Sequence, residues 1–183
     1  QLYKLGVRDI GENRIQDAEK KIAGLSLLPP KGAYSAREPT RPLRWHMIGH
    51  LQTNKAKKAV QLFNSIQSVD SVHLAEAIGE EAEKQGKCID IFIQVNTSGE
   101  TVKYGLTPEE LEKSIPAIEG LASIKIRGLM TMAPLSVDKD WIRKTFRGLR
   151  LIRDRINPQW KLSMGMSQDY PVALEEGADI LRI

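Results

Sequence analysis

Apolar residues recur along this chain at two periods in turn, and that alternation limits the fold more than any other feature. Short β-branched runs occupy Arg8–Ile10, Trp45–Ile48, Ser65–Val69, Ile89–Val95, Ile124–Met132, Lys161–Met166 and Asp179–Ile183. Between them the spacing becomes helical. Ile15, Ala18, Ile22 and Leu25 form one stripe, and Leu74, Ile78 and Ala82 a second. Leu111, Ile115, Ile118 and Leu121 form a third; Ile142, Phe146, Leu149 and Ile156 a fourth. The third helix has a full start signal: Thr107 at the N-cap, Pro108 at the first helical position and Glu110 closing a capping box. Strand and helix in strict turn, with short connections, define parallel β/α units.

Seven such strands suit either a doubly wound open sheet or most of a (β/α)8 barrel. A barrel needs at least ~200 residues, and this chain has 183. It begins in a helical stretch, Gln1–Gly6, ahead of the first strand run, and ends on the strand Leu181–Ile183. The expected fold is therefore an α/β barrel without its first strand and last helix, one domain spanning 1–183. Leu27–Pro42, rich in Pro, Gly, Ser and Arg, reads as a surface loop within that domain.

Composition narrows the class further. With 41% hydrophobic and 27% charged residues, this is the mix of a globular protein. No run nears the ~18 apolar residues of a membrane helix, since even Ile89–Val95 contains Asp90. No basic-then-apolar leader opens the sequence, and the single Cys88 can form no internal disulfide. A reducing, cytoplasmic setting is expected. Lys+Arg exceed Asp+Glu by 27 to 23, a net +4, but the basic residues are scattered. Nucleic-acid binders gather theirs on one face. The knot at Lys55, Lys57 and Lys58 is better explained as a solvated helix face, so neither nucleic acid nor membrane is expected as a partner.

In parallel β/α folds, chemistry gathers at the carboxyl ends of the strands. Polar residues fall there at Gly11-Glu12-Asn13, at His46–His50 with Gln52, at Asn96–Gly99, at Ser163–Ser167 and at Arg182. Small, hydroxyl-bearing Ser163–Ser167 suits a phosphate ligand at a strand-to-helix turn. It would equally suit Ser167 as a helix cap with Gly165 easing the packing. Arg182 lies in the otherwise apolar Ile180–Ile183, where a buried guanidinium is costly unless paired. Its partner is either an internal carboxylate or an acceptor on a ligand. His46 and His50 are four apart, but on a strand and its loop that separation spans ~13 Å. No metal site is expected, and no nucleophilic triad, dinucleotide fingerprint or Walker loop is present.

Six segments, in order, resemble the YggS/PROSC family of pyridoxal 5′-phosphate (PLP) homeostasis proteins. They are Gly6–Asn13, Trp45–Gln52 with Asn54-Lys55, Gln94–Glu100, Gly128–Thr131, Leu162–Ser167, and Glu175–Ala178 with Leu181–Ile183. The resemblance implies a barrel like the cofactor domain of alanine racemase, with PLP at its carboxyl face. It places Asn13 and His46 at the cofactor pocket, Ser163, Met164 and Ser167 around the phosphate, and Arg182 at the pyridine nitrogen. An arginine can only donate. It leaves that nitrogen unprotonated and weakens PLP as an electron sink. The family's Schiff-base lysine belongs to a first strand outside residues 1–183, so no catalytic residue is assigned, Lys103 included. The glycine and hydroxyl residue that follow the family's final Arg-Ile also lie outside the chain, and Gln168-Asp169 stands where relatives commonly have Asp-Asp.

The implied function is holding or delivering PLP in intracellular vitamin B6 homeostasis, with effects on amino-acid metabolism. The alternative is a PLP-dependent racemase or decarboxylase-like enzyme. Against it stands the absence of a recognisable second, β-rich domain bearing a catalytic tyrosine. We expect a monomer whose ligand is PLP and whose partners are PLP-dependent apoenzymes.

Overall fold

The computed structural model describes residues 5–26, 43–100, 104–136 and 138–183. In chain order they form β1 (Asp9–Glu12), α1 (Ile15–Ser26), β2 (Arg44–Met47), α2 (Ala56–Leu62), β3 (Ser65–Val69), α3 (Val72–Lys84) and β4 (Ile89–Gln94). There follow α4 (Pro108–Glu119), β5 (Ile124–Met130), α5 (Lys139–Ile156), β6 (Lys161–Met166), α6 (Tyr170–Glu175) and β7 (Ile180–Arg182). All seven expected strand runs are strands. The Leu27–Pro42 loop and Lys103 lie outside the described residues.

The strands lie in the order β1-β2-β3-β4-β5-β6-β7, and every neighbouring pair is parallel. A doubly wound sheet reverses its order partway across; this one does not. It also curls. β3 and β6 are three strands apart, which in a flat sheet means ~14 Å. Yet Ser163 Oγ on β6 donates to Gln67 Oε1 on β3 at 2.7 Å. Such a bond can form only if the sheet closes on itself, so the fold is a nearly closed α/β barrel. Among the described residues, β1 and β7 are its two edges.

Helix starts follow local chemistry. Thr107 Oγ1 accepts from the Glu110 N–H at 3.2 Å, and Glu110 Oε2 accepts from the Thr107 N–H at 2.8 Å, completing the expected capping box with Pro108 inside it. Ser71 caps α3 by accepting from the Leu74 N–H, and Asp138 caps α5 by accepting from the N–H groups of Asp140 and Trp141. α2 carries Lys57 and Lys58 on its outer side, where Lys58 pairs with Glu19 of α1 at 2.6 Å. No helix among the described residues is long and apolar enough to cross a membrane.

Alternation along the strands separates two layers. Ile66, Val69, Ile89, Ile91, Ile93, Leu129, Leu162 and Met164 point outward into one hydrophobic cluster with Leu74, Ile78, Leu111, Ile118, Phe146 and Leu149 of the helices. Burying a side chain of this size contributes about 1.5–3 kcal/mol, so this outer layer carries the fold. The inward positions are largely polar, and they hold the site.

One tie fixes the last β/α unit. Arg143, Arg147 and Arg150 of α5 all donate to Glu176, which is 3% exposed just after α6. Hydrogen bonds from Arg147 in particular hold the Glu176 carboxyl below its ordinary value. Stability from such a group is full above the ordinary carboxylate pKa and disappears as pH falls through the lowered one. Glu176→Gln should therefore cost about 1–2 kcal/mol at pH 7. In urea melts the gap from wild type should narrow as pH drops below about 4.

Candidate functional site

Arg182 closes β7, and the barrel wall supplies its partners. Nη1 donates to Ser163 Oγ at 2.8 Å, and Nη2 donates to the main-chain oxygen of Thr131 at 2.8 Å. Both acceptors are neutral. Burial pushes the guanidinium down to about 10, opposed only in part by the charge of Asp169, so it remains charged at neutral pH. Asp169, 6% exposed, is thus the internal carboxylate that acts on Arg182, through its charge and not through a hydrogen bond.

Ser163 sits between two side chains rather than at a surface. Fully buried, it accepts from Arg182 and donates to Gln67. Gln67, 1% exposed, meets His46 Nδ1 through Nε2 at 3.2 Å. His46 Nε2 meets Asp9 Oδ1 at 2.8 Å, and Asp9 Oδ2 accepts from Arg44 at 2.8 Å. Burial raises the Asp9 carboxyl pKa, but hydrogen bonds from Arg44 and His46 outweigh it and hold the group below its ordinary value. A continuous line of side chains thus crosses the barrel from β7 to β1.

The other expected residues lie apart from that line. The Met164 side chain points outward into the hydrophobic cluster, so only its backbone can face a ligand at the inner surface. Ser167 is exposed in the turn after β6. It does not cap α6: Asp169 occupies the cap position, and its Oδ1 accepts from the Met166 N–H at 2.5 Å. Asn13 follows β1 and is pressed by the loop after β2, because a Cβ on Gly49 would lie 2.3 Å from the Asn13 oxygen. Only glycine allows that approach. Asn13, His50, Gln52 and Lys55 help line a cleft of about 180 Å³ there. His50 pairs with Asp70 at 3.2 Å and stacks on Tyr104 with ring centres 3.8 Å apart. His46 and His50 therefore serve different neighbourhoods, and no group of metal-ligating side chains occurs among the described residues.

The structure thus brings Arg182, Ser163 and His46 together and sets Asn13, Met164 and Ser167 at separate points of the wall and rim. Gln67, Asp9 and Thr131 were missed from sequence. Gln67 gave the same signal as Arg182, a polar residue within a buried strand.

Comparison with known proteins identifies the fold and the family. The family model of the alanine racemase N-terminal domain matches residues 1–183. The pyridoxal phosphate homeostasis protein of Aquifex aeolicus is 38% identical over 188 residues, covering 100% of this chain and 77% of that protein. That of Synechocystis is 37% identical over 186 residues, covering 99% and 80%. PipY of Synechococcus elongatus, solved without PLP, superposes with a TM-score of 0.86 at 38% identity, covering 98% of this chain and 81% of that one. Its PLP-bound form gives 0.82 at 37% identity, with the same coverage. Alanine racemase of Clostridium difficile shares the fold alone, with a TM-score of 0.72 at 16% identity over 99% of this chain and 44% of that one. The barrel is thus of the alanine racemase N-terminal type. Within that class, the chain belongs to the pyridoxal phosphate homeostasis family, the YggS/PROSC group.

Gly165 sits near the end of β6, where the pairing with β7 shifts register between Ser163 and Met166. Its φ is +95°, and a Cβ there would lie 2.6 Å from the Ala173 Cβ. Gly165→Ala should cost about 1–3 kcal/mol, which a thermal melt would register as a fall of roughly 2–12 °C.

Proposed function

We propose that this chain binds PLP at the inner carboxyl face of the barrel and serves to hold and hand over the cofactor. One observation carries this reading: Arg182 keeps a buried positive charge whose two protein acceptors are both neutral. A group with an unprotonated acceptor completes such a site, and the pyridine nitrogen of PLP is one. When bound, PLP supplies an aldehyde and an electron-withdrawing ring. Arg182 donates to that ring and has no proton it can readily give up, so it favours retention over carbanion chemistry.

Ser167, exposed at the turn, and the backbone at Met164 would lie beside the phosphate, while Asn13 and His46 would border the pocket. Ser163, with its hydroxyl already engaged by Arg182 and Gln67, would act on the ligand through Arg182. PLP-dependent apoenzymes are the proposed recipients, a monomer the proposed state and the cytoplasm the proposed setting.

The test is PLP retention, followed by absorbance after desalting. Arg182→Ala should weaken it by about 1.5–3 kcal/mol, the scale of a hydrogen bond to a charged group. Unchanged affinity together with a lower melting temperature would make Arg182 a structural residue only. Ser167→Ala should lower affinity for PLP far more than for pyridoxal. Equal losses would remove the phosphate from this turn.

A further inference from the structure

The hydrogen-bonded line from Arg182 to Asp9 has a direction, and we infer that Gln67 is the positioning residue that sets it. Arg182 can only donate, so Ser163 Oγ accepts from it and has its own hydrogen left to give. That hydrogen goes to Gln67 Oε1 at 2.7 Å. The amide nitrogen of Gln67 then faces His46 Nδ1 at 3.2 Å as a donor, so Nδ1 must be the unprotonated nitrogen of the ring. The proton of His46 stands on Nε2 and is donated to Asp9 Oδ1 at 2.8 Å. Every member is satisfied in this one arrangement.

An amide is the side chain this position requires. It accepts on one side and donates on the other, which neither a carboxylate nor an alkyl group can do. With Gln67 in place, the Ser163 hydroxyl is turned away from Arg182 and its lone pairs face the guanidinium. Ser163 and the Thr131 oxygen then fix the plane of the guanidinium and leave its remaining N–H groups for a ligand. Without the amide, the Ser163 hydrogen has no acceptor, and the hydroxyl is free to rotate against Arg182. Gln67 thus acts on ligand recognition from β3, on the far side of the barrel from β7, by ordering a serine that orders an arginine.

This inference rests on the assignment of Arg182 to the ring nitrogen, and its test separates the two. The probes are PLP and the analogue in which C–H replaces the ring nitrogen, titrated against the full chain and its variants. Wild type should bind PLP at least tenfold more tightly than the analogue. Gln67→Leu should weaken PLP about tenfold and the analogue less than twofold, so that the preference collapses. Ser163→Ala should do the same, and the double variant should be no worse than either, because all remove one line of bonds. If wild type shows no preference, the assignment of Arg182 fails. If wild type shows it and a folded Gln67→Leu keeps it, the positioning role of Gln67 is overturned. Should Gln67→Leu not fold, ¹⁵N chemical shifts of His46 in the unmodified chain decide the matter. They should show a proton on Nε2 and none on Nδ1. A proton on Nδ1 would break the line at Gln67 and end the proposal.

Discussion

A guanidinium keeps its charge under almost any burial a protein can impose, and Arg182 places that charge on a barrel strand. The neighbouring chemistry follows from it. The wall beside it offers the main-chain oxygen of Thr131 and, where a barrel would more commonly pack Val or Leu, the hydroxyl of Ser163. Ser163 in turn needs an acceptor and Gln67 a further partner, so the demand for polar residues spreads inward from β7 as far as Asp9.

This would be hard to sustain in a barrel whose stability came from its interior. Here the outer layer does that work. Ile66, Ile91, Leu129 and Leu162 pack against α3, α4 and α5 with almost no exposure. The inner face is released from packing duty and can be spent on orientation. Strand alternation makes the division automatic: Leu162 and Met164 secure β6 to the helices, while Ser163 between them faces inward.

What could be read from the sequence was local. Two hydrophobic periods located every strand, and Thr107, Pro108 and Glu110 marked the start of α4. Arg182 stood out because a charge within an apolar strand demands a partner. The identity of that partner was not readable, since Ser163 lies 19 residues away on the neighbouring strand β6 and Thr131 lies 51 residues away, just past β5. The bond from Ser163 to Gln67 spans 96 residues and depends on the closure itself. Ser167 was weighed as a helix cap, whereas Asp169 two residues on takes that position. α2 and α6, of 7 and 6 residues, are too short to show a full hydrophobic stripe.

Arg182 binds across three neighbouring strands at once. It sits on β7, Ser163 belongs to β6, and Thr131 follows β5. A molecule that engages the guanidinium therefore also tightens the seam among these strands, so occupancy and the firmness of this stretch of wall are linked by mass action. Three arginines fastening Glu176 ahead of β7 tie the same unit to α5.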